Sequence, residues 1–265
     1  MKETRKLKSF ETLILYAQNT TFKTYVAKLL LHVTTHLQKH LTVKVKSKLE
    51  SMLNNIAAGI ECNPSVDHSD LFVFLYTLIE DGVAYETGRN KSFSVLNTSM
   101  QSGNEAINKI ITSGRLVDSS QSSHLVRVFA LGLLHNRMKN PKLHKKDEQQ
   151  LEMWDPFVRL LTECLTSKYD DIISDALRSL APLVGLLLPA LKSQANKIRT
   201  FLLVIAHGSI KCSPMMQSCL RLLAVLLHNT QITLSEDQWH VFIQCPLFID
   251  LESNPPSVAL SLLKA

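Results

Sequence analysis

His32, His36 and His40 recur at intervals of four, so on a helix they line one face. Imidazoles at that spacing are zinc-ligand candidates. The outer two would stand about 12 Å apart at ~1.5 Å of rise per residue, so one ion reaches two of them and not three. No carboxylate lies among them. A partly solvated helix face is therefore the expected reading, and neither a metal nor another cofactor is expected.

Other catalytic signals are weak. The sequence holds no Gly-x-Ser-x-Gly elbow, no Gly-x-Gly-x-x-Gly and no phosphate loop. Ser123 and His124 are neighbours in sequence, but triad partners must meet in space with separate roles. Asp170-Asp171 and Glu80-Asp81 are paired carboxylates placed where helix ends are expected. Acid near a helix start complements the dipole without any catalytic purpose. The chain reads as a non-enzyme with no small-molecule substrate. The catalytic alternative is a metal-dependent hydrolase using His32, His36 and a distant carboxylate.

Lysines are the remaining candidates for chemistry. Net charge is +6, and residues 1–48 hold ten Lys/Arg against two Glu, a net of +8 that leaves about −2 for the rest. Lys44 and Lys48 share a helix face, with Lys46 between them and Lys39 just before. Lys142, Lys145 and Lys146 form a second set in a polar stretch, Lys139 to Gln150. Both sets are candidate contacts for RNA phosphates, which position a chain without reading sequence. A lysine-rich solvated face is the plainer reading. No aromatics interleave with the lysines, which argues against a base-stacking platform.

Helices must position these residues. Glycine is scarce, at 8 of 265 residues, which disfavours doubly wound sheets and tight hairpins. Leu7, Phe10, Ile14 and Ala17 fall at helical spacing, as do Leu49, Met52, Leu53, Ile56 and Ile60. So do Tyr25, Leu29, His32, Val33 and His36. Asn63-Pro64 breaks the chain, and a further helix is predicted over 70–82 with Leu71, Phe74, Leu75 and Leu78 on one side. Residues 86–121 are polar and rich in Ser and Asn, an insertion expected to be mobile around a short helix at 104–112.

Four later segments share a small–Leu–x–x–Leu pattern, beginning at Ala130, Ala176, Cys219 and Ala259 at intervals of 46, 43 and 40. Periods of about 40–47 are those of HEAT and armadillo repeats. One helix pair cannot bury its apolar face alone, so neighbouring pairs stack. Asp155-Pro156, Ser213-Pro214 and Asn254-Pro255 read as helix starts, and Ser235 to Gln238 has capping-box spacing. Pro182 should kink its helix. Trp154 and Trp239 are expected near the starts of outer helices, as wedges between repeats. The predicted fold is an all-α, HEAT/armadillo-like α-solenoid of stacked antiparallel helix pairs. Its divisions are 1–85 (basic helical repeats), 86–121 (insertion) and 122–265 (C-terminal repeats, the last cut short).

Five dispersed cysteines fit a reducing compartment, and the longest apolar run, Leu183 to Leu191, is too short to span a bilayer. No membrane association is expected.

The stretch Leu234-Ser235-Glu236-Asp237-Gln238 through Pro246-Leu247-Phe248-Ile249-Asp250-Leu251-Glu252-Ser253-Asn254-Pro255, followed by Val258 to Ala265, resembles the large nucleolar HEAT-repeat scaffold family called Down-Regulated In Metastasis. Phe129 to His135 resembles its repeats too. The resemblance runs over most of the chain and is plainest from about residue 124. It implies a non-catalytic scaffold of the U3-containing small-subunit processome, working in the nucleolus on 40S assembly and pre-18S rRNA processing. The implied partners are pre-ribosomal RNA, the U3 small nucleolar ribonucleoprotein and other processome proteins. Members are far longer, so the chain is expected to be a fragment or short isoform. A different HEAT module, a nuclear-transport carrier or a phosphatase or kinase scaffold, is the alternative.

Overall fold

The computed structural model describes residues 2–26, 28–30, 42–88, 120–139, 148–186, 188–208 and 214–242. Among these residues all regular structure is helical. The helices are α1 (Lys2–Asn19), α2 (Val43–Glu61), α3 (His68–Glu86), α4 (Ser120–Met138), α5 (Glu148–Cys164), α6 (Asp170–Val184), α7 (Pro189–Gly208), α8 (Pro214–Asn229) and α9 (Glu236–Phe242). A π-helical turn, Phe22–Val26, follows α1. The chain forms two compact units, residues 1–133 and 134–265. All but the ends of the insertion at 86–121, and the pattern segment at Ala259, lie outside the described residues.

In the first unit α1 packs on α2. Leu49, Leu53, Ile56 and Ile60 form the buried stripe of α2, as their spacing predicts. The crossing is close because Gly59 has no side chain. A Cβ there would stand 2.4 Å from the Ile14 carbonyl oxygen and 2.6 Å from the Ala17 Cβ. Asn63, just past α2, fixes the same junction. Its Nδ2 donates to the carbonyls of Ala17 and Thr20 at 2.7 Å each, answering orphan acceptors at the end of α1. Its Oδ1 accepts from the Ser65 amide at 2.8 Å, which turns the chain toward α3.

Asp67 caps α3, its Oδ2 accepting from the Ser69 amide at 3.0 Å. The predicted stripe Leu71, Phe74, Leu75 and Leu78 is buried. Phe22 meets Phe74 edge-to-face, with ring centroids 5.4 Å apart. α3 runs one turn beyond its predicted end at 82. Gly88, at φ 65°, is the residue that closes it, while Gly82 sits inside and makes room for Arg127 of α4. Arg127 is 2% exposed and pairs with Glu86 at the far end of α3. Glu80-Asp81 consequently lies inside α3 and not at its end.

The second unit is built of helices packed in adjacent pairs. α5 packs on α6 and α7, α6 on α8, α7 on α8 and α9. Each helix thus meets its successor or the one after, which sorts α5, α7 and α9 into one layer and α6 and α8 into the other. Ala176 and Cys219, 43 residues apart, are both fully buried on α6 and α8, so this interval of the pattern is one helix pair. The pattern leucines Leu177, Leu180, Leu220 and Leu223 are buried with them. Adjacent helix pairs stacked this way make an α-solenoid.

Of the expected helix starts one needs correction and two hold, while Asn254-Pro255 lies outside the described residues. Asp155-Pro156 does not start a helix; both residues lie within α5, with Pro156 on the exposed side. Asp155 instead accepts from the Ala190 amide at 2.7 Å and so caps α7 from a neighbouring helix. Trp154 likewise sits within α5, buried 6.1 Å from Phe157. Pro214 does begin α8. In the capping box of α9, the Ser235 amide donates to Gln238 Oε1 at 3.2 Å and the Gln238 amide to Ser235 Oγ at 3.4 Å. Pro182 falls in the last turn of α6, so the one amide-to-carbonyl bond it cannot make, to Arg178, is lost at the helix end and not in its middle.

Gly59→Ala is expected to lose about 1–3 kcal/mol of stability, because backbone and Ala17 stand where the methyl must go. Gly132→Ala, with open space at the same atom, is expected to gain about 0.5–1 kcal/mol from helix propensity. Urea unfolding of the two variants checks the contrast.

Candidate nucleic-acid interface

The lysines at the start of α2 are arranged around a capped end. Thr42, in extended conformation, accepts from the Val45 amide at 3.4 Å through its hydroxyl. Val43 follows, 88% exposed. Lys44 and Lys48 are exposed one turn apart, opposite the apolar stripe that faces α1. Lys46 is half-buried, its Nζ 3.8 Å from Glu50. The first turn of α2 holds no acid. A helix N-terminus carries positive partial charge, so cations there oppose the dipole by several tenths of a kcal/mol each, about 0.3–1 kcal/mol at exposed sites. These lysines therefore do not stabilise the helix start they occupy. The arrangement suits an external anion better than the fold itself.

Lys39, Lys142, Lys145 and Lys146 lie outside the described residues, as do His32, His36 and His40. The structure thus brings Lys44, Lys46 and Lys48 together on one helix end and does not address the second lysine set. His124 is buried on α4. Asp170 and Asp171 occupy the exposed first turn of α6, whose N-cap Tyr169 makes no side-chain cap, so their charge answers the dipole. Among the described residues no group of three or more His, Cys, Asp or Glu is placed to hold a metal ion, and no helix is long and apolar enough to cross a membrane.

Three titrating groups in the second unit have perturbed environments. Burial, then the charges of Lys139 and Arg178, lower His135 from 6.5 to about 4, so it is a neutral imidazole at neutral pH. Burial raises Asp175 against the opposing pull of its Arg178 partner. Burial alone pushes the Cys219 thiol up to about 12, and its Sγ donates to the Leu202 carbonyl at 3.6 Å. Such a thiol is a packing residue and not a nucleophile. Sequence reasoning did not single out Leu15 and Tyr16, neighbours exposed on α1, whose one signal was position off the apolar stripe of that helix. Tyr25, expected on an apolar stripe, is exposed in the π-helical turn, with its ring 5.6 Å from Lys28 Nζ.

Helices packed in adjacent pairs, with no strand among the described residues, define the class of α-solenoid proteins. Residues 1–79 match the family model of the U3 small nucleolar RNA-associated protein 20 (UTP20) domain, which is consistent with the family that the sequence resembles. The segments that suggested the resemblance lie mainly beyond residue 124. The matched stretch is the other end of the chain, covering α1, α2 and most of α3, and it contains Lys44, Lys46 and Lys48.

His135 gives the fold a pH dependence of definite sign. Its folded pKa lies below its unfolded one, so its contribution is fully present above 6.5 and is lost as pH falls toward about 4. Asp175, raised in the fold, acts oppositely: its contribution is present at low pH and lost as pH rises through its folded value. Urea midpoints are expected to fall between 6.5 and about 4, and His135→Asn is expected to flatten that part of the profile.

Proposed function

We propose that this chain is a non-catalytic scaffold in small ribosomal subunit assembly and pre-18S rRNA processing, working in the nucleolus within the U3-containing processome. The match of residues 1–79 to the U3-associated family carries this reading. Pre-ribosomal RNA, the U3 ribonucleoprotein and other processome proteins are the proposed partners. The repeats are proposed to be HEAT-like on the strength of the 43-residue helix pair. The organisation proposed is basic repeats over 1–85, a polar insertion over 86–121 and further repeats over 122–265.

Lys44, Lys46 and Lys48 are the proposed phosphate contacts, with Lys39, Lys142, Lys145 and Lys146 as further members. They fit this role because Lys44 and Lys48 are exposed, stand within the matched segment and gain nothing from the helix dipole. Contacts of this type hold RNA without reading its sequence.

A pull-down of the chain from nuclear extract, with and without RNase, tests the reading. Recovery of pre-ribosomal RNA with U3-associated proteins supports it. Recovery of transport or signalling partners, indifferent to RNase and free of ribosomal precursors, replaces it with a different solenoid module. Changing Lys44, Lys46 and Lys48 together to Glu is expected to weaken RNA binding across sequences. The salt dependence is expected to become shallower by roughly one unit of slope for each phosphate that is no longer neutralised. Titration with a single-stranded RNA at several salt concentrations measures both.

A further inference from the structure

Between α8 and α9 the chain leaves helical structure, and Ile232–Ser235 runs without regular structure. Ile232 and Leu234 are half-buried while Thr233 and Ser235 are exposed, so the segment is held by alternate side chains and offers its hydroxyls outward. Two exposed carboxylates, Glu236 and Asp237, stand three and four residues after Thr233. α7 lies beside this segment. It contains Lys192, Lys197 and Arg199 and no Asp or Glu. Arg199 reaches across to donate from Nη1 to the Thr233 carbonyl at 3.0 Å. Its Nε is enclosed without a hydrogen-bond acceptor.

We propose that Thr233 is a phosphorylation site for an acid-directed protein kinase and that Arg199 is the residue that receives the phosphate. A kinase needs an exposed hydroxyl on irregular backbone, and an acid-directed one has a basic cleft that pairs with carboxylates just downstream. Thr233, Glu236 and Asp237 supply this pattern. α9, seven residues long, is too short to hold itself against a cleft that must straighten its first turn. In the transfer, Thr233 Oγ forms a bond to the γ-phosphorus of ATP, the bond from that phosphorus to ADP breaks, and the hydroxyl proton passes to the kinase's carboxylate base.

The product places a dianionic group on the residue whose carbonyl Arg199 already holds. A guanidinium has five donors in a fixed fork, and phosphate is the acceptor that fork fits two at a time. A contact between a cation and a neutral carbonyl thereby gains an ion pair of opposite charges. Glu236 and Asp237 repel the phosphate, but they are exposed and screened by salt, whereas Arg199 is half-buried and screened less. The net effect is to fasten the segment leading into α9 onto α7.

The test uses the whole chain with ATP, magnesium and a purified acid-directed kinase, followed by mass-spectrometric site mapping and amide hydrogen exchange. Phosphate is expected on Thr233, to be lost in Thr233→Ala and kept in Thr233→Ser. Exchange of amides 232–242 is expected to slow about tenfold on phosphorylation, and not to slow in Arg199→Gln, which retains the acceptor and its carboxylates. Each variant is compared with its own unphosphorylated form, so any loss of basal stability cancels. Phosphate confined to Ser235, no phosphate at all, or equal slowing in Arg199→Gln would overturn the proposal.

Discussion

Where helices of this protein approach closely, the residues between them must be small. Where α1 meets α2 the space left by Gly59 is filled by a carbonyl oxygen and the methyl of Ala17, with no room for a further carbon. The small residues of the repeated pattern, Ala176 on α6 and Cys219 on α8, are fully buried, Cys219 against the Leu202 carbonyl of α7. Leu180 and Leu223, a turn on from Ala176 and Cys219, are buried as well and add apolar area removed from water. An amphipathic helix buries one stripe, and a stack of pairs gives each stripe two neighbours.

Much of the frame was legible in sequence because it depends on periodicity. The stripes of α2 and α3 and the 43-residue interval between Ala176 and Cys219 are patterns that a helix converts directly into a buried face. The capping box at Ser235 was legible for a similar reason: its partners are three residues apart and the bond is local. What was not legible depends on partners distant in sequence. Asp155-Pro156 has the local chemistry of a helix start, yet the Asp155 carboxylate serves Ala190, thirty-five residues on. Gly82 looked like a stop and is a space for Arg127, while Gly88, six residues later, carries the left-handed backbone that ends the helix. A glycine's two uses cannot be told apart without knowing what lies opposite.

The candidate interface divides in the same way. That Lys44 and Lys48 share a face follows from their spacing, and the structure places both in solvent at the start of α2. That no acid offsets them in the first turn could be read as sequence only once the helix start at Val43 was known. The buried pair of Arg127 and Glu86 was invisible: forty-one residues separate them, and both are of a type that usually marks the surface. The family match adds weight at the end of the chain where sequence resemblance was least plain, and the basic helix end falls within it.

The cap that Asp155 lends to α7 bears on how the array comes apart. α9 carries its own start signal and can fray and re-form alone. α7 cannot, since the amide of Ala190 has its acceptor on another helix. Loss of α5 therefore uncovers a polar group as well as an apolar face on α7, and the two helices melt as one cooperative block. In a quasi-linear array whose repeats otherwise touch only their neighbours, a borrowed cap is a rivet between successive pairs. It raises the energy of any break between α5 and α7 and shifts bending toward junctions where each helix is closed by its own residues.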